Sequence, residues 1–117
     1  MAQGCRGSFL DIEVSTPRPE HAVLTLRGRL DLWTASHLDT TLAGLVDQGF
    51  RYLTLQLVEV GYLDSTGLNI MLAAHKRVST MGGGLTVTCP CRRVRKVLEA
   101  TGAHKVLRIS QDKVVAA

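Results

Sequence analysis

Tyr62-Leu63-Asp64-Ser65-Thr66-Gly67-Leu68-Asn69-Ile70 is the stretch from which the rest of this chain becomes readable. Just upstream, Leu53, Leu55 and Leu57 alternate with Thr54 and Gln56, the period of a half-buried strand. Downstream, an apolar-periodic run from Leu68 to about Val78 has helical spacing and stops at Gly82, Gly83 and Gly84. The stretch therefore carries the chain out of a strand, through a loop and into a helix. Ser65 is the expected N-cap, because its hydroxyl can accept a bond from an early helical N–H. Unpaired N–H groups and the positive end of the helix dipole converge at that position. A phosphate added to Ser65 would bring roughly −1.5 to −2 charges and three acceptor oxygens. Placed there, it could change the surface a partner meets without unfolding the domain.

Working outward, Phe9 to Val14 and Ala22 to Leu26 both alternate, with Pro17, Arg18, Pro19 and Glu20 breaking the run between them, as in a loose hairpin. Thr34 is placed to cap a helix with its apolar stripe at Ala35, Leu38, Leu42, Leu45 and Val46, and Gly49 to end it in a left-handed turn. Beyond the glycine run, Leu85 to Cys89 reads as a strand closed by Pro90. Val94, Val97, Leu98 and Thr101 give a third helical stripe ended by Gly102, and Val106 to Ile109 a last strand. The tail from Gln111 to Ala117 is a candidate closing helix with Ser110 as its cap. The order β-β-α-β-α-β-α-β predicts one mixed sheet of four to five strands with helices packed over it, α/β by class or α+β by some labels. Right-handed crossovers make the later strands parallel.

The chain has 117 residues, read as a single domain with its core at about 9–110. With aromatics at only 4%, that core must be aliphatic. No signal peptide is recognisable and no segment approaches the roughly 20 apolar residues of a membrane span. Cys5, Cys89 and Cys91 are an odd number without a framework spacing. Together these predict a cytoplasmic protein that does not engage a membrane. A net charge of +4 permits an acidic partner without identifying one.

Several tempting sites fail on chemistry. Cys89-Pro90-Cys91 lacks the second ligand pair of a structural zinc site, so no metal is expected. Arg92, Arg93, Arg95 and Lys96 read as a solvated helix face, with no direct nucleic-acid binding expected because aromatics and a recognisable module are missing. Ser65 is not in a Gly-x-Ser-x-Gly elbow, and His75 lies ten residues further on the same helix, roughly 15 Å away at 1.5 Å per residue. Gly82 to Gly84 precede a strand and lack a Walker lysine. The chain is therefore read as a binding protein with no cofactor and no enzymatic activity of its own. Trp33 is expected to be a partly buried packing residue at the entry of the first helix, and would be a strong interface anchor if exposed.

The order and spacing of the motifs resemble STAS domains of the anti-sigma factor antagonist (anti-anti-sigma factor) family. Gly28-Arg29-Leu30-Asp31 resembles that family's Gly-Glu-Leu-Asp, and Tyr62 to Leu68 resembles its central phosphorylation motif. Gly83-Gly84-Leu85 and Val94 to Gly102 are similar to its later glycine turn and third helix, so the resemblance runs from about Phe9 to Ile109. It implies a partner-switching regulator of transcription. The unphosphorylated form would bind an anti-sigma factor that is also a histidine-kinase-like serine kinase, freeing its sigma factor. Phosphorylation at Ser65 would abolish binding, and a phosphatase would restore it. The resemblance assigns partner contact to Asp31, Asp64, Thr66, Gly67 and Leu68, with Arg29 beside them. Its alternative is a STAS scaffold or small-ligand-sensing subunit of a larger signalling assembly. Two departures stand out: Arg29 where glutamate is common, and Gln56 where aspartate often precedes the motif. Both would remove acidity from the docking face, implying a more acidic contact on the kinase.

Overall fold

Leucine and valine set the interior of this molecule by register. In a computed structural model, which describes residues 9–88 and 90–110, Leu24 stands opposite Leu55 and Leu55 opposite Val87, while Ala22, Leu53 and Leu85 form a second such row. Period-two alternation turns all six to one face, and all six are buried. The strands are β1 (Leu10–Arg18), β2 (His21–Leu30), β3 (Tyr52–Leu63), β4 (Gly84–Thr88) and β5 (Arg108–Ser110). They lie side by side in sequence order, with β1 antiparallel to β2 and the others parallel. The connecting helices are α1 (Ala35–Asp47), α2 (Ser65–Thr80) and α3 (Arg92–Ala100), with one 3-10 turn at Ala103–Lys105. Their apolar stripes, led by Leu38 and Leu42, Met71 and Val78, and Val94 and Leu98, join the sheet leucines in one core. The predicted mixed sheet is present with five strands.

Both long helices end as their glycines predict. After α1, Gly49 takes φ 98°, its N–H reaches Val46 O and the N–H of Phe50 reaches Leu45 O. After α2, Gly82 at φ 82° and Gly83 repeat the pattern against Ser79 and Val78.

Three boundaries differ from expectation. β1 runs on through Pro17 to Arg18, where the pairing shifts register, and the turn proper is Pro19–Glu20 with Glu20 left-handed at φ 67°. An edge strand tolerates a residue without an N–H, which is why proline did not stop it. The loop expected after Leu57 is strand, because β3 carries two register shifts against β2, between Thr25 and Arg27 and between Gly28 and Arg29. Each extra residue breaks the alternation: Leu57 and Val60 are both buried while Val58 and Glu59 between them are exposed. β5 is Arg108–Ser110 rather than Val106 to Ile109, so Ser110 ends a strand, and the helix expected over 111–117 lies outside the described residues.

The turn into β4 is tight enough to test. A Cβ on Gly83 would stand 1.8 Å from the carbonyl oxygen of Arg51, whereas one on Gly84 would meet nothing within 4 Å. Gly83→Ala should cost about 3 kcal/mol, the upper end of overpacking effects. Gly84→Ala should stay within about 0.5 kcal/mol of wild type. Urea unfolding midpoints of the two variants measure the contrast.

Candidate functional site

Two parallel strands end together and each hands its chain to a helix through an aspartate. Leu30 closes β2 opposite Leu63, which closes β3, and the N–H of Asp64 donates to Leu30 O at 3.1 Å. Asp31 and Asp64 follow in equivalent places. The starts of α1 and α2 therefore lie side by side beyond the carboxyl ends of the strands, where parallel sheets commonly build their sites.

The two aspartates do the same work. Asp64 is the N-cap of α2, and its Oδ1 accepts from the N–H groups of Thr66 at 3.0 Å and Gly67 at 3.2 Å. Asp31 Oδ1 accepts from the N–H groups of Trp33 at 2.9 Å and Thr34 at 3.1 Å. A carboxylate satisfies these orphan donors and complements the positive helix end. Thr34 does not cap by its own hydroxyl. Its Oγ1 accepts from the N–H of Asp31 at 3.0 Å and donates to Arg29 O at 2.6 Å, closing a reciprocal box with Asp31. Ser65, expected to be the N-cap, is instead the first residue of α2, because the stronger acceptor one position earlier takes the cap. Its side chain is exposed and its hydroxyl is bonded to no other described residue.

The remaining predicted residues fall into two groups. Thr66 is half-buried at the surface of the same turn. Gly67 and Leu68 are buried and shape the site from beneath. A Cβ on Gly67 would come within 2.9 Å of Leu30 Cβ and 3.1 Å of Leu30 O, which is why the motif needs glycine there. Asp31 is only 5% exposed, so it too acts from inside. Arg29 is tied down twice, with Nε 3.3 Å from Asp31 Oδ2 and its guanidinium 4.0 Å above the Tyr62 ring. Gln56 is not on this face at all. It is 2% exposed in the middle of the sheet and donates to Thr25 Oγ1, so its departure from an acid leaves the docking face untouched.

Trp33 corrects a further expectation. It and Leu32 are each 66% exposed, because the Asp31 box pins their backbone while the helix stripe begins only at Ala35. The visible signal was the repetition of Leu-Asp before each helix, at Leu30-Asp31 and Leu63-Asp64. Elsewhere, Cys91 donates to Val60 O at 3.4 Å, while Cys5 and Cys89 lie outside the described residues. Among the described residues no group of three or more His, Cys, Asp or Glu is arranged for a metal ion, and no helix is long and apolar enough to cross a membrane.

The caps give a stability test. Asp64→Ala should cost about 1 kcal/mol, as for an ordinary N-cap. Asp31→Ala should cost about 2–3 kcal/mol, because it also leaves buried donors without an acceptor. Chemical denaturation of both variants would show the order, and equal losses would contradict it.

Comparison with known proteins agrees with this geometry. The STAS domain family matches residues 13–116. The anti-sigma-B factor antagonist of Bacillus subtilis is 29% identical over 102 residues, covering 86% of this chain and 93% of the relative. That of Staphylococcus aureus is 26% identical over 106 residues, covering 91% and 97%. Among solved structures, an anti-sigma factor antagonist from Mycobacterium paratuberculosis superposes with a TM-score of 0.80 at 22% identity, over 89% of this chain and 87% of that one. The anti-sigma factor antagonist SpoIIAA in its unphosphorylated form gives 0.76 at 18% identity, over 87% and 90%. Paired strand ends, capped helix starts and matching length converge, and the chain belongs to the STAS domain family.

Proposed function

We propose that this chain is an anti-sigma factor antagonist switched by phosphorylation of Ser65. The observation that carries the reading is the division of labour between Asp64 and Ser65. Asp64 holds the helix start, so the Ser65 hydroxyl is exposed and has no structural bond to lose. A phosphoryl group can be added or removed there while the scaffold stays fixed. SpoIIAA, which shares the fold, has been solved in a phosphorylated as well as an unphosphorylated form, which supports a modification of this kind.

The partner in this reading is an anti-sigma factor of the histidine-kinase-like class, acting as serine kinase on Ser65, with a phosphatase reversing the step. Docking uses the exposed rim of the two helix starts, Ser65 with Thr66, beside Leu32 and Trp33. The dianion would stand next to the Asp64 carboxylate, and burying such unmatched charge in an interface costs about 2–5 kcal/mol. At tenfold per 1.4 kcal/mol, that is roughly 30- to 3,000-fold in affinity. Electrostatics alone can thus flip partner choice.

Incubation with candidate kinase-type anti-sigma factors and ATP, followed by mapping of the phosphate by mass spectrometry, tests the assignment. Label at Ser65 that disappears in Ser65→Ala is the expected result; label elsewhere, or stable association without transfer, refutes it. Ser65→Ala should retain kinase binding, whereas Ser65→Glu should weaken it by about tenfold or more in a titration.

Arg29 requires a different experiment from its position in sequence alone. Arg29→Glu would set a second carboxylate against Asp31 and remove the Tyr62 contact, so it perturbs the site as well as any interface. Arg29→Gln is the cleaner probe. If the kinase offers an acidic contact here, this variant should bind it several-fold more weakly at low salt, with the difference shrinking as salt is raised.

A further inference from the structure

The sheet has a second end. Where β2, β3, β4 and β5 begin, a cleft of about 530 Å³ opens, lined by Arg18, His21, Tyr52, Thr86 and Arg108 among others, and by no carboxylate. Ten residue steps along β3 separate its lining residue Thr54 from Asp64, on the order of 30 Å at about 3.3 Å per residue. It is therefore independent of the Ser65 face.

The arginines of this cleft share with Arg92, Arg93 and Arg95 of α3 the lack of a carboxylate within 4.0 Å among the described residues, but here they line a concavity. Arg27, Arg29, Arg51 and Arg77 each stand within 4.0 Å of a carboxylate. Arg18 and Arg108 have no such partner among the described residues. The His21 ring stacks on Tyr52 with centroids 4.6 Å apart and planes 14° from parallel. Its Nδ1 lies 2.9 Å from Pro19 O, which makes Nδ1 the protonated nitrogen and leaves Nε2 unbonded. From α2, His75 adds an Nδ1 that is buried without a hydrogen-bond partner. The lining thus combines two unmatched guanidinium groups and an aromatic pair whose imidazole leaves Nε2 unbonded.

Such a wall selects a ligand class. Guanidinium groups fit phosphate oxygens with two parallel N–H bonds. A concavity of several hundred cubic ångströms is of small-molecule size, whereas an acidic protein surface would ask for a flatter patch. The aromatic pair gives an organic body something to rest on. We propose that the cleft where β2 to β5 begin binds a small organic phosphate, with Arg18 on β1 and Arg108 on β5 drawing its negative charge from opposite sides of the cleft and the stacked His21 and Tyr52 rings against its body.

Phenyl phosphate is a suitable probe, with phenol and inorganic phosphate as its uncharged and bodiless counterparts. In amide-correlation NMR of the full chain, phenyl phosphate should shift His21, Tyr52, Thr86 and Arg108 and leave Asp64 to Gly67 in place. Phenol should produce no such pattern, and inorganic phosphate should bind the same residues more weakly. The double substitution Arg18→Gln with Arg108→Gln, at two exposed positions, should reduce affinity by about tenfold or more. The proposal is overturned by absence of saturable shifts, by shifts centred on Arg92, Arg93 and Lys96, or by unchanged affinity in the double variant. Equal affinity for inorganic phosphate and phenyl phosphate would overturn the role of the aromatic pair.

Discussion

The in-register ending of two strands is the constraint on which this structure depends. Leu30 and Leu63 are paired and buried, and the N–H of Asp64 reaches back to Leu30 O. With the strand ends level, the first turns of α1 and α2 must start level too, and two sets of unsatisfied N–H groups are brought together. Two carboxylates resolve that local excess of positive potential. Arg29 then offsets the more buried of them, and Tyr62 supports Arg29 from below. Remove the register and none of these groups has a reason to be where it is.

Much of this could be read from the residues, because the signals were periodic and local. The leucine alternations, the helical stripes and the glycine ends of α1 and α2 each report a requirement confined to a few neighbours. Departures came where a distant strand decides. One extra residue in β3 between Gln56 and Glu59 puts Val58 beside Glu59 on the outside, which looks like a loop until β2 is seen holding both flanks. For Gln56 the alternation with the leucines gives the face, but not that this face is covered in the middle of the sheet rather than part of the docking surface. The cap was misassigned between Asp64 and Ser65 because both are good N-cap residues and only the backbone distinguishes them. Trp33 misled in the opposite sense: hydrophobicity predicts burial, yet the Asp31 box fixes its backbone before the stripe of α1 begins.

Separation of duties runs through the site. Buried groups, Asp31, Gly67 and Leu68, set its shape, while Ser65, Trp33 and Leu32 are left facing solvent. A protein built this way can vary its rim without endangering its fold, since surface substitutions away from caps and cores usually shift stability by no more than about 0.5 kcal/mol. Conversely, a substitution at Gly67 or Asp31 would disturb the scaffold beneath that rim. Binding and folding phenotypes should therefore separate cleanly by burial at this end of the molecule.

The proline within β1 has an implication for the crowd of identical copies in which the protein must exist. Pro17 offers no N–H, and the pairing around it is irregular. An incoming strand would find the ladder interrupted at that margin, with Asp11, Glu13 and Arg18 exposed along it. Sheet extension by a neighbouring copy is thereby discouraged along the outer edge of β1, and the fold guards itself against stacking into longer sheets.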